Sequence, residues 1–293
     1  MKLLPVTLQA VRQFPDILRC HLPPLGPRRL AYARVNASVK HVHRQRLREL
    51  QGLHTGRRAF IIGNGPSINR MDLTPLKAEI TFAVNSTFRL YEKLGFQATY
   101  TCVTDRIRWF ELKDDLLEAS SRSRIFYCDD AEYPTPIDLF SHDELERITL
   151  LDQRLRTPRW LAWLACVRNR AGRFTYHLMR SRSFARDITR GVCLGNSVIF
   201  TAAQIAAYMG CNPIILIGVD MDYSGPQKHF HDRKVWTPPM SYERDAKPWF
   251  VRFDRAMAAL DIRFLNASLG GKVDALKRVP FDDLFNQPLN PTP

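Results

Sequence analysis

Short apolar runs alternate along the chain with segments that carry apolar residues at three- and four-residue spacing. The runs predict strands at 59–63, 80–84, 99–104, 124–128, 213–219 and 262–266. The segments with helical spacing predict helices at 86–94, 108–119, 195–209 and 242–260. Strands that alternate with helices are typical of parallel sheets with right-handed crossovers. We therefore expect an α/β fold, a Rossmann-like and mostly parallel sheet flanked by helices.

Two basic segments do not follow this alternation. Residues 1–56 predict a basic helical N-terminal arm that is broken by prolines. Residues 57–293 hold the predicted α/β domain, within which residues 154–190 form a basic helical insertion. We predict neither a signal peptide nor a membrane helix, because prolines and charges interrupt the N-terminus and apolar stretches fall short of the roughly 20 residues that span a bilayer. Six cysteines without a CxxC pair favour a reducing cytoplasm over a disulfide framework or a zinc site.

The net charge of +14 is concentrated in the same regions. Residues 1–58 carry twelve Lys and Arg against two acids, and residues 154–190 carry ten Arg against one Asp. These excesses amount to +10 and +9, so the rest of the chain carries −5. Both segments favour contact with an anionic membrane surface, which predicts a protein peripheral to the inner face of the cell membrane. For residues 154–190, an arginine-coated helical cap over the active-site cleft is an equally favoured alternative. Binding of nucleic acid is disfavoured, because the chain lacks an RNA- or DNA-binding signature.

The segment AFIIGNGPS, residues 59–67, places a glycine turn directly after a predicted strand. Gly63 and Gly65 can adopt positive φ and let a ligand approach the backbone, Pro66 fixes φ, and Ser67 can cap the next helix. Such a turn suits a phosphate or a sugar-nucleotide, although many glycine turns only reverse the chain. The segment has no Walker A lysine and no third glycine of GxGxxG, which disfavours the ATP and NAD loops of that kind.

Short polar residues follow nearly every predicted strand. In a parallel sheet the carboxyl ends of the strands meet at one edge, where ligands of open α/β sheets bind. An ordinary turn or cap is an equal interpretation of any one of these residues, but together they favour a site. The set comprises Asn64, Asn85, Asp105, Asp129, Asp220 and Asn266.

Residues 188–225 combine a glycine-rich turn, a helix and a buried strand that ends in an acid. The backbone N–H groups that open the helix, at 195–197, favour an anion. Ser197 lacks the GxSxG context of a nucleophile. Asp220 and Asp222 could hold a divalent cation or hydrogen-bond a ribose or a pterin, although a solvated turn is the favoured interpretation of Asp222.

The loop at 224–249 shows little sign of internal structure, and loops of this length are often lids or binding loops. His229 and His231 stand at i and i+2, so an extended backbone would point both to one side. Either could act as a general base near neutral pH. A metal pair is the rival interpretation, but the spacing offers no third ligand, and a surface histidine without a role is the default for each alone.

A group of motifs connects these features: GNGPS, FAVNSTF, the VTD strand end, TRGVCLGNSVIFTAAQIAAYMG, IILIGVDMDYSG, HFH and NASLGGKVDALKRVPFDDLF. Together they resemble the MptE-like family, named for archaeal 6-hydroxymethylpterin diphosphokinases. The wider group includes bacterial sialyltransferases with a GNGPS loop and the flagellin-glycosylating motility accessory factors. The resemblance covers about residues 57–285.

The resemblance to the transferases implies a donor in which cytidine monophosphate activates an acidic, sialic-acid-like or Kdo-like sugar. It implies a glycan or glycolipid acceptor of surface-polysaccharide or lipopolysaccharide assembly, Tyr223 beside the leaving phosphate, and a histidine base. This chain has no histidine in PPMSYERDAK, before the last large helix, so His231 or His229 would replace the family's base. No metal is obligatory, and magnesium is compatible. The implied nucleotide contacts are Gly63, Asn64, Gly65, Pro66, Ser67, Asn85, Asp105, Thr189, Arg190, Gly191 and Asp220.

Two alternatives remain open. Members with the other chemistry transfer pyrophosphate from ATP to a hydroxymethyl-dihydropterin, for which Asp105, Asp220 and Asp222 would be the magnesium-side residues. The two basic segments weigh against a small soluble acceptor of that kind. A non-catalytic membrane-surface adaptor with a nucleotide-binding fold is the third interpretation, which the intact GNGPS and HFH motifs disfavour. The oligomeric state is not predicted.

Overall fold

The computed structural model describes residues 39–104, 106–128, 140–153, 184–222, 229–230 and 241–286. Within these residues eight parallel strands form one sheet, in the order β5-β4-β3-β2-β1-β6-β7-β8. This confirms the predicted α/β fold with a parallel sheet. The strands are β1 (Ala59–Ile62), β2 (Ile80–Val84), β3 (Tyr100–Val103), β4 (Arg124–Cys128), β5 (Ile148–Leu151), β6 (Ile214–Ile217), β7 (Phe264–Asn266) and β8 (Lys277–Arg278).

Helices connect and cover these strands. In the described ranges the α-helices are α1 (39–48), α2 (Tyr91–Leu94), α3 (Arg106–Ala119), α4 (His142–Arg147), α5 (Val198–Tyr208), α6 (Lys247–Ala258) and α7 (Asp283–Asn286). Shorter 3-10 helices cover Pro66–Arg70, Thr74–Ala78, Asn85–Leu90 and Ile188–Arg190, and a π-helical turn, Tyr242–Ala246, precedes α6. None of the helices described is both long enough and apolar enough to cross a bilayer.

The central strands are apolar throughout because both faces of the sheet are covered. Every residue of β1, β2 and β6 is buried, as expected for parallel strands between helical layers. The helix α5 lies against this centre and is buried over nearly its whole length. Its one buried amide side chain, Gln204, is fully hydrogen-bonded: it accepts from the N–H groups of Ala185 and Cys193 and donates to the carbonyls of Cys193 and Phe200. A buried amide that pairs in this way fixes the preceding segment to the helix.

Part of the predicted N-terminal arm packs against the α/β body. Leu47 and Leu50 lie in its main hydrophobic core, and Lys40 forms a 2.6 Å ion pair with Asp152 after β5. The turn that follows α1 donates backbone hydrogen bonds to the end of α5, including His54 N to the carbonyl of Met209 at 2.7 Å. Residues 1–38, and 154–183 of the predicted insertion, lie outside the described residues.

The strand order changes direction between β1 and β6. The chain adds β2 to β5 on one side of β1 and then returns to place β6 on the other side. The crossovers on the two sides diverge at such a point, which leaves a crevice at the carboxyl ends of the two strands. The glycine turn after β1 and the acidic turn after β6 therefore face each other, although about 150 residues separate them in sequence.

Candidate functional site

A crevice opens at this point of the sheet. Its walls are the Gly-Asn-Gly turn after β1, Asn85 after β2, residues 218–222 after β6, the first turn of α5 and His229. The sequence predicted a site at this edge, and the structure brings these separate segments together. Among the predicted strand-end residues, Asn64, Asn85 and Asp220 line the crevice.

The two glycines of the GNGPS turn allow its backbone to pack closely against residues 218–220 after β6. The prediction that they use positive φ is wrong: Gly65 has φ −67°, and Gly63 also lies outside that region. A Cβ at Gly63 would overlap the carbonyl of Gly218, and one at Gly65 would overlap both that carbonyl and the carboxylate of Asp220. Glycine is required here because the turn lies directly on the strand end of β6. Pro66 occupies the first position of the 3-10 helix, where its fixed φ is favourable.

Asp220 holds this turn from the opposite strand. Its carboxylate is 7% exposed and accepts two hydrogen bonds from Ser67, one from the backbone N at 2.8 Å and one from Oγ at 2.5 Å. The expectation that Ser67 caps the next helix is therefore wrong, because its hydroxyl binds Asp220. Asp220, the acid at the end of β6, therefore connects the two walls of the crevice by hydrogen bonds.

Asn64 is oriented by a buried hydroxyl beneath the turn. Thr87, fully buried, donates from Oγ1 to Asn64 Oδ1 at 2.7 Å and lies within hydrogen-bonding distance of the carbonyls of Ile62 and Val84. Since the amide oxygen faces the protein, the Nδ2 donors of Asn64 are left for a ligand.

Asn85 lies in the crevice wall and carries an acceptor that is not used. It has φ +47°, a conformation that asparagine tolerates better than most residues. Its Oδ1 is buried and has no hydrogen-bond partner among the described residues. A buried carbonyl oxygen without a donor costs about 1–3 kcal/mol, so this atom points to a hydrogen-bond donor on a ligand.

The first turn of α5 forms one wall of the crevice. Ser197 is the N-cap, and its Oγ accepts from the N–H of Ile199 at 3.4 Å. Ser197, Val198 and Ile199 all line the crevice. Because this eleven-residue helix begins at the crevice, its remaining free N–H groups and the positive end of its dipole lie beside this space.

His229 is held over the crevice by its neighbour. Phe230 is buried in a hydrophobic cluster with Phe60 and Ile62, its N–H donates to the carbonyl of Asn64 at 2.9 Å, and its carbonyl accepts from Asn69 Nδ2 at 2.9 Å. We call these two bonds the Phe230 clasp. The clasp fixes Phe230 to the GNGPS segment, and the adjacent His229 contributes to the crevice wall.

Asp222, the second acid after β6, is paired with a lysine. Lys272 Nζ lies 2.9 Å from its Oδ1, and both side chains are partly exposed. Within the described ranges no group of three His, Cys, Asp or Glu residues is arranged to hold a metal ion. The Asp220 carboxylate braces the GNGPS turn and the Asp222 carboxylate carries its counter-charge on Lys272.

The remaining predicted site residues lie elsewhere. Asp105, Tyr223 and His231 lie outside the described residues, as does Asp129. The predicted Thr189–Gly191 turn is a 3-10 turn capped by Asp187, whose Oδ1 accepts from Thr189 Oγ1 at 2.6 Å. None of its three residues lines the crevice formed by the described residues. Asn266 is fully buried and organises its own loop through the carbonyl of Val273 and the N–H of Ser268.

Sequence reasoning missed several residues that shape the crevice. Gly218 and Met221 both have positive φ, at 61° and 49°, and turn the chain sharply after β6. Gly218 carried a usable signal, a glycine directly after a strand, whereas Met221 did not. Asn69 and Thr87 act through contacts distant in sequence that the local pattern does not reveal.

Comparison with known proteins agrees with the motifs. The profile of a family described as "6-hydroxymethylpterin diphosphokinase MptE-like" matches residues 34–226, about two thirds of the chain. The chain belongs to the MptE-like family. The matched region includes α1 and the GNGPS turn and reaches past the strand end of β6. No curated protein matches the sequence of this member.

Two solved structures resemble the fold of this MptE-like protein. The MAf glycosyltransferase from Magnetospirillum magneticum AMB-1 has 15% sequence identity and a TM-score of 0.47, over 82% of this chain and 38% of that protein. The sialyltransferase CstII from Campylobacter jejuni, solved with the substrate analogue cytidine-5'-monophosphate, has 13% identity and a TM-score of 0.47. That likeness covers 77% of this chain and 86% of the sialyltransferase. The chain thus spans less than two fifths of the Magnetospirillum protein.

Proposed function

We propose that the protein is a glycosyltransferase that uses a nucleotide-activated sugar, specifically an acidic sugar activated by CMP. The observation that carries the proposal is the composition of the crevice: it combines an anion-binding helix start, an unpaired amide acceptor and a histidine, while its two carboxylates are engaged by Ser67 and Lys272. Such a set suits a nucleotide phosphate and a proton transfer without requiring a metal.

Each wall has a role in the proposed reaction. The N–H groups of α5 would stabilise the charge that develops on the leaving phosphate. Asn85 Oδ1 would accept a hydrogen bond from the nucleoside, and Asn64 Nδ2 would donate one. His229 would take the proton from the acceptor hydroxyl as that oxygen attacks the anomeric carbon. His231, Tyr223 and Asp105 keep their predicted roles as base alternative, phosphate contact and nucleotide contact, and the Thr189–Gly191 turn keeps its predicted nucleotide contact.

The family description favours one competing reaction, pyrophosphoryl transfer from ATP to a 6-hydroxymethylpterin. That chemistry uses magnesium held by carboxylates, with Asp105, Asp220 and Asp222 as the candidates in this chain. Asp220 would have to release Ser67, and Asp222 would have to release Lys272, before either bound the metal through the paired oxygens. This cost is why we prefer the transferase.

Ligand titration separates the two functions. Isothermal titration of the full chain with CMP, CDP, UDP and ATP, with and without magnesium, should give saturable binding of CMP that does not need the metal. A pterin analogue serves as the matched acceptor probe for the competing reaction. Binding of ATP and the pterin only with magnesium, and no binding of cytidine nucleotides, would contradict the transferase.

Replacing His229 tests the catalytic role. His229→Ala should lower turnover of a CMP-activated sugar by roughly 10² while leaving the Kd for CMP nearly unchanged, because the base acts only in the chemical step. His231→Ala is the companion variant, since that residue is the second candidate for the same role. Full activity in both variants would remove the histidine base from the mechanism.

We also propose that the acceptor belongs to surface-polysaccharide or lipopolysaccharide assembly and that the protein works in the cytoplasm, peripheral to the inner membrane. The supporting observation is the excess of Lys and Arg in residues 1–58 and 154–190. Sedimentation with phosphatidylglycerol vesicles should show binding that weakens as salt is raised, and vesicles of phosphatidylcholine should bind less. Equal binding to both vesicles would contradict the membrane role.

A further inference from the structure

A second glycine turn lies beside the crevice, after β7. We call residues 268–272, Ser-Leu-Gly-Gly-Lys, the β7 loop. Gly271 has φ +87°, and a Cβ there would overlap the backbone of Asp220. Lys272 N donates to the carbonyl of Asp220 at 2.7 Å. The loop therefore forms the outer side of the wall that Asp220 contributes to the crevice.

Two arginines approach this loop from different elements. Arg70 ends the 3-10 helix of the GNGPS segment, and its Nη2 lies 3.4 Å from the position of a Cβ added at Gly270. Arg278 on β8 donates from Nη1 to the carbonyls of Ser268 at 2.8 Å and Gly270 at 3.3 Å. The two guanidinium groups thus flank the same glycine.

These like charges lack a counter-charge. In the part of the chain that the structure describes, neither Arg70 nor Arg278 forms an ion pair, and Arg278 contacts only neutral carbonyls. Lys272 adds a third positive charge at the crevice side of the loop, where Asp222 neutralises it. Because both guanidinium groups lie beside Gly270, an oxyanion placed there could accept charge-assisted hydrogen bonds from both.

We propose that Arg70 and Arg278, with Lys272 at the inner side, bind an anionic group of the acceptor, a phosphate or a carboxylate. This inference rests on the proposed transferase function and names the acceptor class of the same site. The anion would bind beside Gly270, which has no side chain of its own and lies next to the guanidinium of Arg70. The hydroxyl to be glycosylated would then be directed toward the crevice. Leu269, 51% exposed on the same loop, offers an apolar contact for the rest of the acceptor.

The test compares anionic and neutral probes on the full chain. Isothermal titration at constant ionic strength would use inorganic phosphate, glucose 6-phosphate and glucose. Wild-type protein should bind both phosphates and not glucose, and Arg70→Gln should weaken the binding of both by about tenfold or more. Arg70 is the primary variant because its side chain is exposed and, among the described residues, makes no hydrogen bond that Gln would break. Arg278→Gln should have the same effect, but it also removes bonds that order the β7 loop.

Arg263→Gln is the matched control, since Arg263 is exposed at the opposite, amino end of β7 and should leave phosphate binding unchanged. Equal phosphate affinity in wild type and Arg70→Gln, or no saturable phosphate binding in wild type, would overturn the proposal. Titration of the same variants with CMP separates the two levels of inference. If the protein binds CMP but phosphate binding does not depend on Arg70, the proposed anion site is wrong and the cytidine donor is not contradicted. If phosphate binding depends on Arg70 but CMP does not bind, the cytidine donor is wrong and the anion site is supported.

Discussion

Asn85 combines two features that a purely structural residue avoids. Its backbone has positive φ and its side-chain oxygen is buried without a donor, and both unfavourable features lie in the wall of the crevice. Strain of this kind persists where the surrounding fold enforces it and is common at ligand sites. At the residue scale Asn85 is thus the sharpest marker of a binding role.

Asn85→Gly isolates the side chain from the backbone. Glycine accepts φ +47° without strain, so the free energy of unfolding should change by less than about 1 kcal/mol. The affinity for CMP should fall about tenfold, because the variant lacks the acceptor that the nucleoside would use. Titration calorimetry and urea unfolding measure the two effects. Asn85→Ala should lose the same affinity and also lose stability, since a Cβ is unfavourable at this φ; unchanged affinity in both variants would remove Asn85 from the site.

At the scale of elements, the Phe230 clasp couples the His229–Phe230 pair to the GNGPS turn. Asn69 supplies the side-chain bond of the clasp, and the Phe230 N–H supplies the backbone bond. We expect Asn69 to be a positioning residue that acts through His229 and does not touch the substrate.

Asn69→Ala should therefore lower kcat for a CMP-activated sugar by roughly 10-fold and leave the KM for the donor nearly unchanged. Asn69→Asp, which keeps the length of the side chain but loses the Nδ2 donor, should behave like the alanine variant. A merely structural residue would instead lower the unfolding midpoint and affect both parameters together. An unchanged kcat in both variants would show that the clasp does not position His229.

The elements themselves could be predicted where a local pattern specifies them. Six of the eight described strands follow from apolar runs, while β5 and β8 were missed because ITLL follows a helix directly and Lys277–Arg278 is short and polar. The helix α4 was also missed, although Ser141 and Glu144 form a reciprocal capping box that the sequence displays. The crevice could be located from strand ends, but the pairing of Ser67 with Asp220 depends on a contact across 153 positions and could not.

At the scale of the whole molecule, α1 joins the far edge of the sheet to the body. Arg46 Nη1 donates to the carbonyls of Leu145 and Ile148 at 2.8 and 3.1 Å, and Lys40 pairs with Asp152. Between them His43 is 2% exposed, and its Nδ1 accepts from the N–H of Leu150 at 3.4 Å. The N-terminal segment is thus attached to β5 through a buried, neutral histidine within a group of cations.

This histidine makes stability depend on pH. Burial, and secondarily the charge of Arg46, lowers the pKa of His43 from 6.5 to about 4. Between these two pKa values the unfolded chain binds a proton that the folded chain does not, so stability falls as the pH is lowered through this window, by at most about 1.4 kcal/mol per pH unit.

The variant His43→Gln tests this, because its side chain can still accept a hydrogen bond but does not titrate. Urea unfolding from pH 6.5 to 4 should show that the free energy of unfolding falls less steeply in the variant than in wild type, by up to about 1.4 kcal/mol per pH unit. His142→Gln, an exposed position on α4, should keep the wild-type slope. Parallel curves for wild type and His43→Gln would mean that His43 takes up its proton in the folded state as readily as in the unfolded chain, and that the contact of α1 with β5 tolerates the added charge.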